Sequence, residues 1–249
     1  MSVVVEPGGP RMRHIPMVRW LVRSAIACAA LVLVAGCGSS KAESTVKVGQ
    51  CPVDAPAVVS ARTVATVDLS GDGHPDPVKL TAPDGDCPDL LFARQGQGFV
   101  SAQLPIGGPP VSAAYGVTVP GREGALLVTR EDHPRGGFQL RVYAVGTDGL
   151  AELKVDGHSL VPFVVLDVQE HPLSVDCGDG GVVVTEATAH RPAGVAFAWD
   201  VTRTSYAVKG SAVTAAPPEK VEDNVLPGRL RAKYPQLLAH SAFAGCRAS

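Results

Sequence analysis

Oxygen-bearing side chains recur at short, regular spacing in one segment of the chain, residues 68–76. The glycines at its positions 4 and 6 permit a tight backbone that lets alternate side chains converge on one point. Ca²⁺ binds about six to eight hard oxygen ligands, so this pattern predicts a structural calcium site. The alternative is an Asp- and Gly-rich hairpin turn without an ion. The candidate ligands, at positions 1, 3, 5, 7 and 9, are Asp68, Ser70, Asp72, His74 through its carbonyl, and Asp76.

The calcium hypothesis gains support because three Asp carboxylates within this segment repel one another when no cation is bound. An EF-hand is excluded, since position 12 is Lys79 rather than Glu and both flanks have the composition of strands. The segment instead resembles the FG-GAP/VCBS repeat, whose Asp-x-Asn/Ser-Gly-Asp-Gly-x-x-Asp loop joins two strands. That resemblance implies calcium in the loop and a propeller built from several copies. The motif occurs once in full, and Asp148-Gly149 and residues 176–181 are partial echoes of it.

Short β-branched runs separated by Gly, Pro and Asp make up the chain from residue 51 onward. This pattern predicts one all-β domain over residues 51–249, with antiparallel sheets in an open propeller-like or sandwich arrangement. A helical segment is expected over residues 226–240, divided into two short pieces by Pro235. Residues 214–223 are predicted to be the connector that leads to it. Trp199 lies in an apolar run and is predicted to be a core residue.

The N-terminus has the organisation of a secretory signal. Residues 24–36 form a charge-free run of 13 that follows four Arg residues. A membrane-spanning helix needs about 20 apolar residues, so this run is too short to be one. The initiating residue is either Met1 or Met17, since a compact signal also begins at Met17.

The residues after the apolar run are more specific. Val34, Ala35, Gly36 and Cys37 resemble the lipobox of bacterial lipoproteins, in which a diacylglyceryl group is attached to the cysteine thiol before cleavage. The resemblance implies that residues 1–36 are removed and that Cys37 is the acylated first residue of the mature protein. Small and polar residues over 38–44 then suit a flexible tether, which is predicted to span residues 37–50. The expected location is the extracytoplasmic face of the cell membrane, with the lipid as anchor.

Four cysteines remain in the predicted mature domain, and an even number in an exported protein predicts two disulfides. Three connectivities are possible. The favoured pairs are Cys51–Cys87, which brackets a predicted hairpin, and Cys177–Cys246, which ties down the C-terminus. A metal site at these thiols is disfavoured, because no Cys-x-x-Cys or paired His spacing accompanies them.

The charge of the chain bears on its partners. The 22 basic and 24 acidic residues give a net charge of −2, without the concentrated basic patch of a nucleic-acid-binding protein. Removal of residues 1–36 leaves 18 basic and 23 acidic residues, so the lipid rather than a basic surface must provide the anchor. A protein or a glycan of the envelope is therefore the expected partner.

Catalytic motifs are weak in this sequence. Residues 157–161 begin like a nucleophile elbow but lack its second glycine, so Asp156-Gly157 is interpreted as a hairpin turn and Ser159 as the start of a strand. The leading hypothesis is a non-enzymatic lipoprotein that acts as a binding, accessory or sensory module of the cell envelope. The alternative is a secreted hydrolase whose catalytic residues come together only in the fold.

Overall fold

A computed structural model describes residues 47–48, 51–52, 61–81, 89–95, 98–105, 107–134, 136–147, 149–164, 171–192, 194 and 197–248. In chain order its elements are β1 (Lys47–Val48), β2 (Cys51–Pro52), β3 (Arg62–Val67), β4 (Asp76–Leu80), β5 (Leu90–Gln95), β6 (Gly98–Gln103), β7 (Val111–Thr118), β8 (Leu126–Asp132), β9 (Phe138–Gly146), β10 (Gly149–Glu152), β11 (Lys154–Val155), β12 (His158–Ser159), β13 (Leu173–Gly178), β14 (Gly181–His190), β15 (Ala198–Lys209), β16 (Ala212–Ala215), β17 (Glu219–Val225), α1 (Pro227–Lys233), α2 (Pro235–Leu238) and β18 (Arg247–Ala248).

Three antiparallel sheets, each a meander of four consecutive strands, form most of this structure. Sheet I has the order β3-β4-β5-β6, and sheet II has the order β10-β9-β8-β7 with β18 added beyond β7. Sheet III has the order β13-β14-β15-β16, and β17 also pairs with β15. Two hairpins, β1-β2 and β11-β12, are not strands of these three sheets. The predicted all-β class with antiparallel sheets and short helices near the C-terminus is confirmed.

Sheet II is buried on both faces. Leu127 and Tyr143 belong to the core between sheets I and II, whereas their neighbours Val128 and Val142 belong to the core between sheets II and III. Because successive residues of a strand point to opposite faces, a strand that is covered on both sides needs apolar residues at consecutive positions. The run Leu126-Leu127-Val128 meets that need.

The other face of sheet III packs against the two helices. Trp199 and Val201 of β15 are buried there with Leu230 of α1 and Leu237 of α2. Trp199 is therefore a core residue, as predicted. The division of the helical segment at Pro235 is also confirmed, since Pro235 is the first residue of α2. Proline has no amide hydrogen and is tolerated in the first turn of a helix but not in its interior.

The predicted connector over residues 214–223 is wrong, because β16 ends within it and β17 occupies its second half. β17 contains charged residues at both alternations, and only Val225 at its end is fully buried. Pairing of its backbone with the long strand β15 stabilises this segment. The hydrophobicity pattern of residues 219–225 does not predict that pairing, because most of their side chains are polar.

Candidate functional site

The predicted calcium loop joins β3 to β4 and is closed by its own side chains. The carboxylate of Asp68 accepts hydrogen bonds from the backbone amides of Gly71 at 2.7 Å and Gly73 at 2.9 Å, one on each oxygen. The hydroxyl of Ser70 lies 3.3 Å from the first of those oxygens. Asp72 in turn accepts a hydrogen bond from the amide of His74 at 2.8 Å. The loop is thus a tight turn built on Asp68.

These contacts determine the protonation of Asp68. Partial desolvation acts to raise its pKa, but the hydrogen bonds from the amides of Gly73 and Gly71 and from the hydroxyl of Ser70 outweigh it, so the pKa is lowered. Asp68 therefore stays ionised in mildly acidic solution, and the charged carboxylate is the form that holds the turn.

None of the five candidate ligand residues is buried. Each oxygen of Asp68 accepts one amide hydrogen and has a further lone pair. Asp72 and His74 are exposed, and Asp76 is the first residue of β4. Within the described ranges, no group of three or more His, Cys, Asp or Glu side chains is placed to hold a metal ion. The structure therefore brings Asp68, Ser70 and Asp72 together in one hydrogen-bonded turn.

The turn between β3 and β4 packs backbone to backbone against the turn between β7 and β8. The amide of Ala125 donates to the carbonyl oxygen of Asp68 at 2.8 Å. A Cβ atom on Gly124 would lie 2.3 Å from the carbonyl oxygen of Leu69, and one on Gly71 would lie 2.6 Å from the amide nitrogen of Gly124. Only glycine permits this approach.

The turn between β13 and β14 continues the contact. The amide of Gly180 donates to the carbonyl oxygen of Pro120 at 2.7 Å, and a Cβ atom on Gly121 would lie 2.9 Å from a carboxylate oxygen of Asp179. Nearby, the guanidinium of Arg122 donates to the carbonyl oxygen of Gly210 at 3.2 Å. Burial lowers the pKa of Arg122. Residues 68–76, 119–125 and 178–181 therefore form one continuous surface, called the turn row below.

The three turns share a local pattern at equivalent places in their sheets. Each joins the first two strands of a meander and contains an acidic residue followed by a glycine with positive φ. The acidic side chains are exposed in all three turns. The pairs are Asp72-Gly73 with φ 81°, Glu123-Gly124 with φ 70° and Asp179-Gly180 with φ 68°.

The two partial copies of the loop motif lie at different kinds of position in the fold. Residues 176–181 do lie at the equivalent turn of sheet III, whereas Gly149 begins β10, at a turn outside the row. The turn that contains Glu123 was not anticipated from the sequence. Its acid-glycine dipeptide between two apolar runs is the signal that could have identified it.

A buried charged cluster on sheet II was also not anticipated. The guanidinium of Arg141 lies 2.8 Å from a carboxylate oxygen of Glu131 and 3.0 Å from one of Glu152. The exposed fractions of these side chains are 16% for Arg141, 3% for Glu131 and 12% for Glu152. Lys154, which is 48% exposed, contacts the other oxygen of Glu152 at 3.2 Å. The cluster is balanced in charge, so burial leaves no carboxylate unpaired.

Ser159 belongs to this cluster and not to a nucleophile elbow. Asp156 and Gly157 form the turn between β11 and β12, and Ser159 lies in β12 as predicted. Its hydroxyl donates to Glu152 at 2.6 Å. Burial acts to raise the pKa of Glu152, but the hydrogen bond from Ser159 and the charge of Arg141 outweigh it and lower the pKa. A carboxylate with a lowered pKa is a weak base, so this contact suits fixation of the hairpin better than proton abstraction.

One of the two predicted disulfides lies within the described residues. Cys177 and Cys246 form a disulfide, with their Cα atoms 5.5 Å apart. This confirms the predicted link between β13 and the C-terminus. The side chains of Cys51 and Cys87 lie outside the described residues, and so do Cys37, the signal over 1–36 and most of the tether.

Two further observations bear on the site. Among the helices of the described residues, none is long and apolar enough to cross a membrane. Comparison of the chain with protein-family models, with curated proteins and with solved structures gives no match.

Proposed function

We propose that this protein is a lipid-anchored lipoprotein whose β domain is a non-enzymatic binding, accessory or sensory module on the extracytoplasmic face of the cell membrane. The anchor is Cys37. The basic segment, the apolar run of 13 residues and the lipobox-like Val-Ala-Gly-Cys follow one another directly, which supports this assignment. Four small or polar residues after Cys37 begin a tether that separates the domain from the bilayer.

The turn row is the observation that carries the binding role. Backbone hydrogen bonds and close approaches at glycines hold its three turns together, so the backbone positions of the exposed residues Asp72, Glu123 and Asp179 are fixed relative to one another. A surface that is rigid before binding loses little conformational entropy when a partner docks. Its acidic character favours a basic group on an envelope protein or glycan.

Photo-crosslinking in intact cells tests this role. A photoreactive amino acid replaces Glu123 in the turn row or, as a matched control, the exposed Thr214 in β16. We expect an envelope component to be crosslinked from position 123 and not from position 214. Crosslinking from position 214 with none from position 123 would contradict the assignment of the binding surface.

Calcium is a separate part of the proposal. Each carboxylate oxygen of Asp68 accepts one amide hydrogen bond and has a second lone pair, so an ion at residues 68–76 can bind Asp68 while the turn keeps these bonds. If calcium binds the folded state, millimolar calcium raises Tm, and Asp72→Ala removes that increase. Calorimetric titration with calcium chloride, and melting curves with and without chelator, measure both effects. Identical melting in calcium and chelator identifies the loop as a turn without an ion and leaves the anchor and the turn row unaffected.

The hydrolase alternative has a distinct outcome. Turnover of peptidoglycan, an ester or a glycan by the purified domain, abolished by one Asp, Glu or Ser substitution, would replace the binding role with catalysis. Glu131, Glu152 and Ser159 are the first positions to substitute, because the fold brings them to one guanidinium. We expect no turnover.

A further inference from the structure

The C-terminal tail, residues 241–248, crosses from sheet III to sheet II. At its start, the amide of Val175 in β13 donates to the carbonyl oxygen of Ser241 at 2.9 Å, and the amide of Phe243 donates to the carbonyl oxygen of Val175 at 2.6 Å. At its end, β18 pairs with β7, with Arg247 opposite Thr118. One short segment thus covers an edge of each sheet.

The first half of the tail, residues 241–243, and the second half, residues 244–248, are held by different contacts. Phe243 is only 5% exposed and belongs to the core between sheets II and III, so its removal exposes apolar surface to water. Residues 244–248 are called the flap below; Ala244 and Gly245 are exposed, and Cys246 is only partly buried against that core. Their described contacts include the hydrogen bond from the amide of Gly245 to Asp176 at 3.2 Å, the hydrogen bond from the amide of Cys246 to the carbonyl oxygen of Phe243 at 3.1 Å, the two-residue strand β18 and the disulfide from Cys246 to Cys177.

A two-residue strand is too short to stay paired without further support. The disulfide provides that support, because it fixes Cys246 beside Cys177 at the end of β13. Phe243 has a φ of 57° and lies at the junction of the two halves, where the chain changes direction. The flap can therefore open while the first half of the tail stays in place.

We propose that the disulfide between Cys177 and Cys246 controls access to the C-terminal end of the outer edge of β7, at Val117 and Thr118. When the bond is intact, β18 pairs with these two residues. When it is reduced, the flap opens about Phe243 and this part of the edge is exposed. An exposed strand edge presents unpaired amides and carbonyls, to which an extended peptide can add as a further strand. Both cysteines are partly accessible, so a reductant can reach them.

The chemistry is thiol–disulfide exchange with a dithiol. One thiolate of the dithiol attacks a sulfur of the protein disulfide and releases one cysteine as a thiolate, which takes up a proton. The second thiol of the reagent then displaces the other cysteine from the mixed disulfide. Two electrons pass to the protein, which gains two thiols, and the dithiol becomes a cyclic disulfide.

Hydrogen exchange on the full chain, before and after treatment with dithiothreitol, tests the proposal. We expect amides of the flap and of the C-terminal half of β7 to exchange at least about tenfold faster after reduction. The amides of Val175 and Phe243, which are bonded within the first half of the tail and its contact with β13, should keep their protection.

Two variants separate this bond from the other cysteines. Cys246→Ser should show fast exchange of the flap without reductant, and Cys51→Ser, which leaves the Cys177–Cys246 bond intact, should show the slow exchange of the oxidised protein. If Cys246→Ser does not fold, reduction of the folded wild type gives the same comparison. Unchanged exchange in the flap after reduction overturns the proposal, and so does simultaneous loss of protection at Val175.

Discussion

At the scale of single residues, the functional assignments depend on where charged side chains are paired. Glu131, Arg141 and Glu152 are separated along the chain by 10 and 11 residues, and the register of β8, β9 and β10 brings them together. Local sequence patterns do not contain that register, which is why the cluster was not predicted. The contacts of Asp68 are local by comparison, since all its partners in the turn lie within five residues of it. The turn could therefore be predicted from the sequence.

The buried cluster predicts a large difference between two substitutions. Arg141→Met leaves the carboxylate of Glu131, which is 3% exposed, without its partner, and we expect a loss of about 3–5 kcal/mol in the free energy of unfolding. Lys154→Met, at the exposed side of the same cluster, should cost less than about 1 kcal/mol. Denaturant unfolding measures both values.

A second substitution identifies the cause of that loss. Adding Glu131→Gln to Arg141→Met removes the unpaired charge and should restore part of the stability. Equal losses for Arg141→Met and Lys154→Met, or no recovery in the double variant, would show that the buried charge is not what destabilises the protein.

At the scale of elements, the turn row requires glycine for two reasons: a positive φ and the close approach of a neighbouring backbone. Gly73 and Gly124 both have positive φ, and alanine in that region costs about 1–2 kcal/mol. A Cβ atom on Gly73 would have no neighbour within 4 Å, whereas a Cβ atom on Gly124 would lie 2.3 Å from the backbone of Leu69. Gly124→Ala should therefore destabilise the protein by about 1–3 kcal/mol more than Gly73→Ala. Equal effects in denaturant unfolding would mean that the two turns are not in contact.

The attachment of α1 to β17 predicts a dependence on pH. Hydrogen bonds from Lys233 at 2.6 Å and Tyr234 at 2.8 Å, together with Arg229, lower the pKa of Glu222 to about 2. A pKa that is lower in the folded state stabilises the protein above pH 4.5, and this contribution is lost as the pH falls towards 2.

Glu222→Gln is the variant that measures this contribution. The wild type should have the higher Tm at pH 7, and the difference should shrink below pH 4.5 and vanish near pH 2. Glu219→Gln on the same strand, whose carboxylate makes no ion pair among the described residues, is the control and should show no such trend. A difference between Glu222→Gln and wild type that is constant with pH would contradict the role of the charge.

Parts of the element structure could be predicted because their signals are local. Pro235 marks the boundary between α1 and α2, and Asp156-Gly157 marks the turn between β11 and β12. β17 was missed because its pairing with β15 is not encoded in its polar side chains. The turn with Glu123 was missed for a different reason. Its sequence lacks an Asp at the position that Asp68 occupies in the loop motif.

At the scale of the whole molecule, the order of the layers explains how one surface can be assembled from three turns. Sheet I packs on sheet II, and sheet II packs on sheet III, so the equivalent turns of successive sheets become neighbours. The all-β class could be predicted from the short β-branched runs that Gly, Pro and Asp separate. The stacking did not, because it depends on both faces of sheet II being buried at once.

The central claim is that a lipid on Cys37 anchors this domain, and the intact mass of the protein extracted from membranes tests it most directly. We expect a chain that begins at Cys37, with the added mass of a diacylglyceryl group on its first residue, and we expect that Cys37→Ala is not converted to this species. A membrane-extracted protein that retains residues 1–36, or a mature chain without lipid that is recovered in the aqueous fraction, would contradict it.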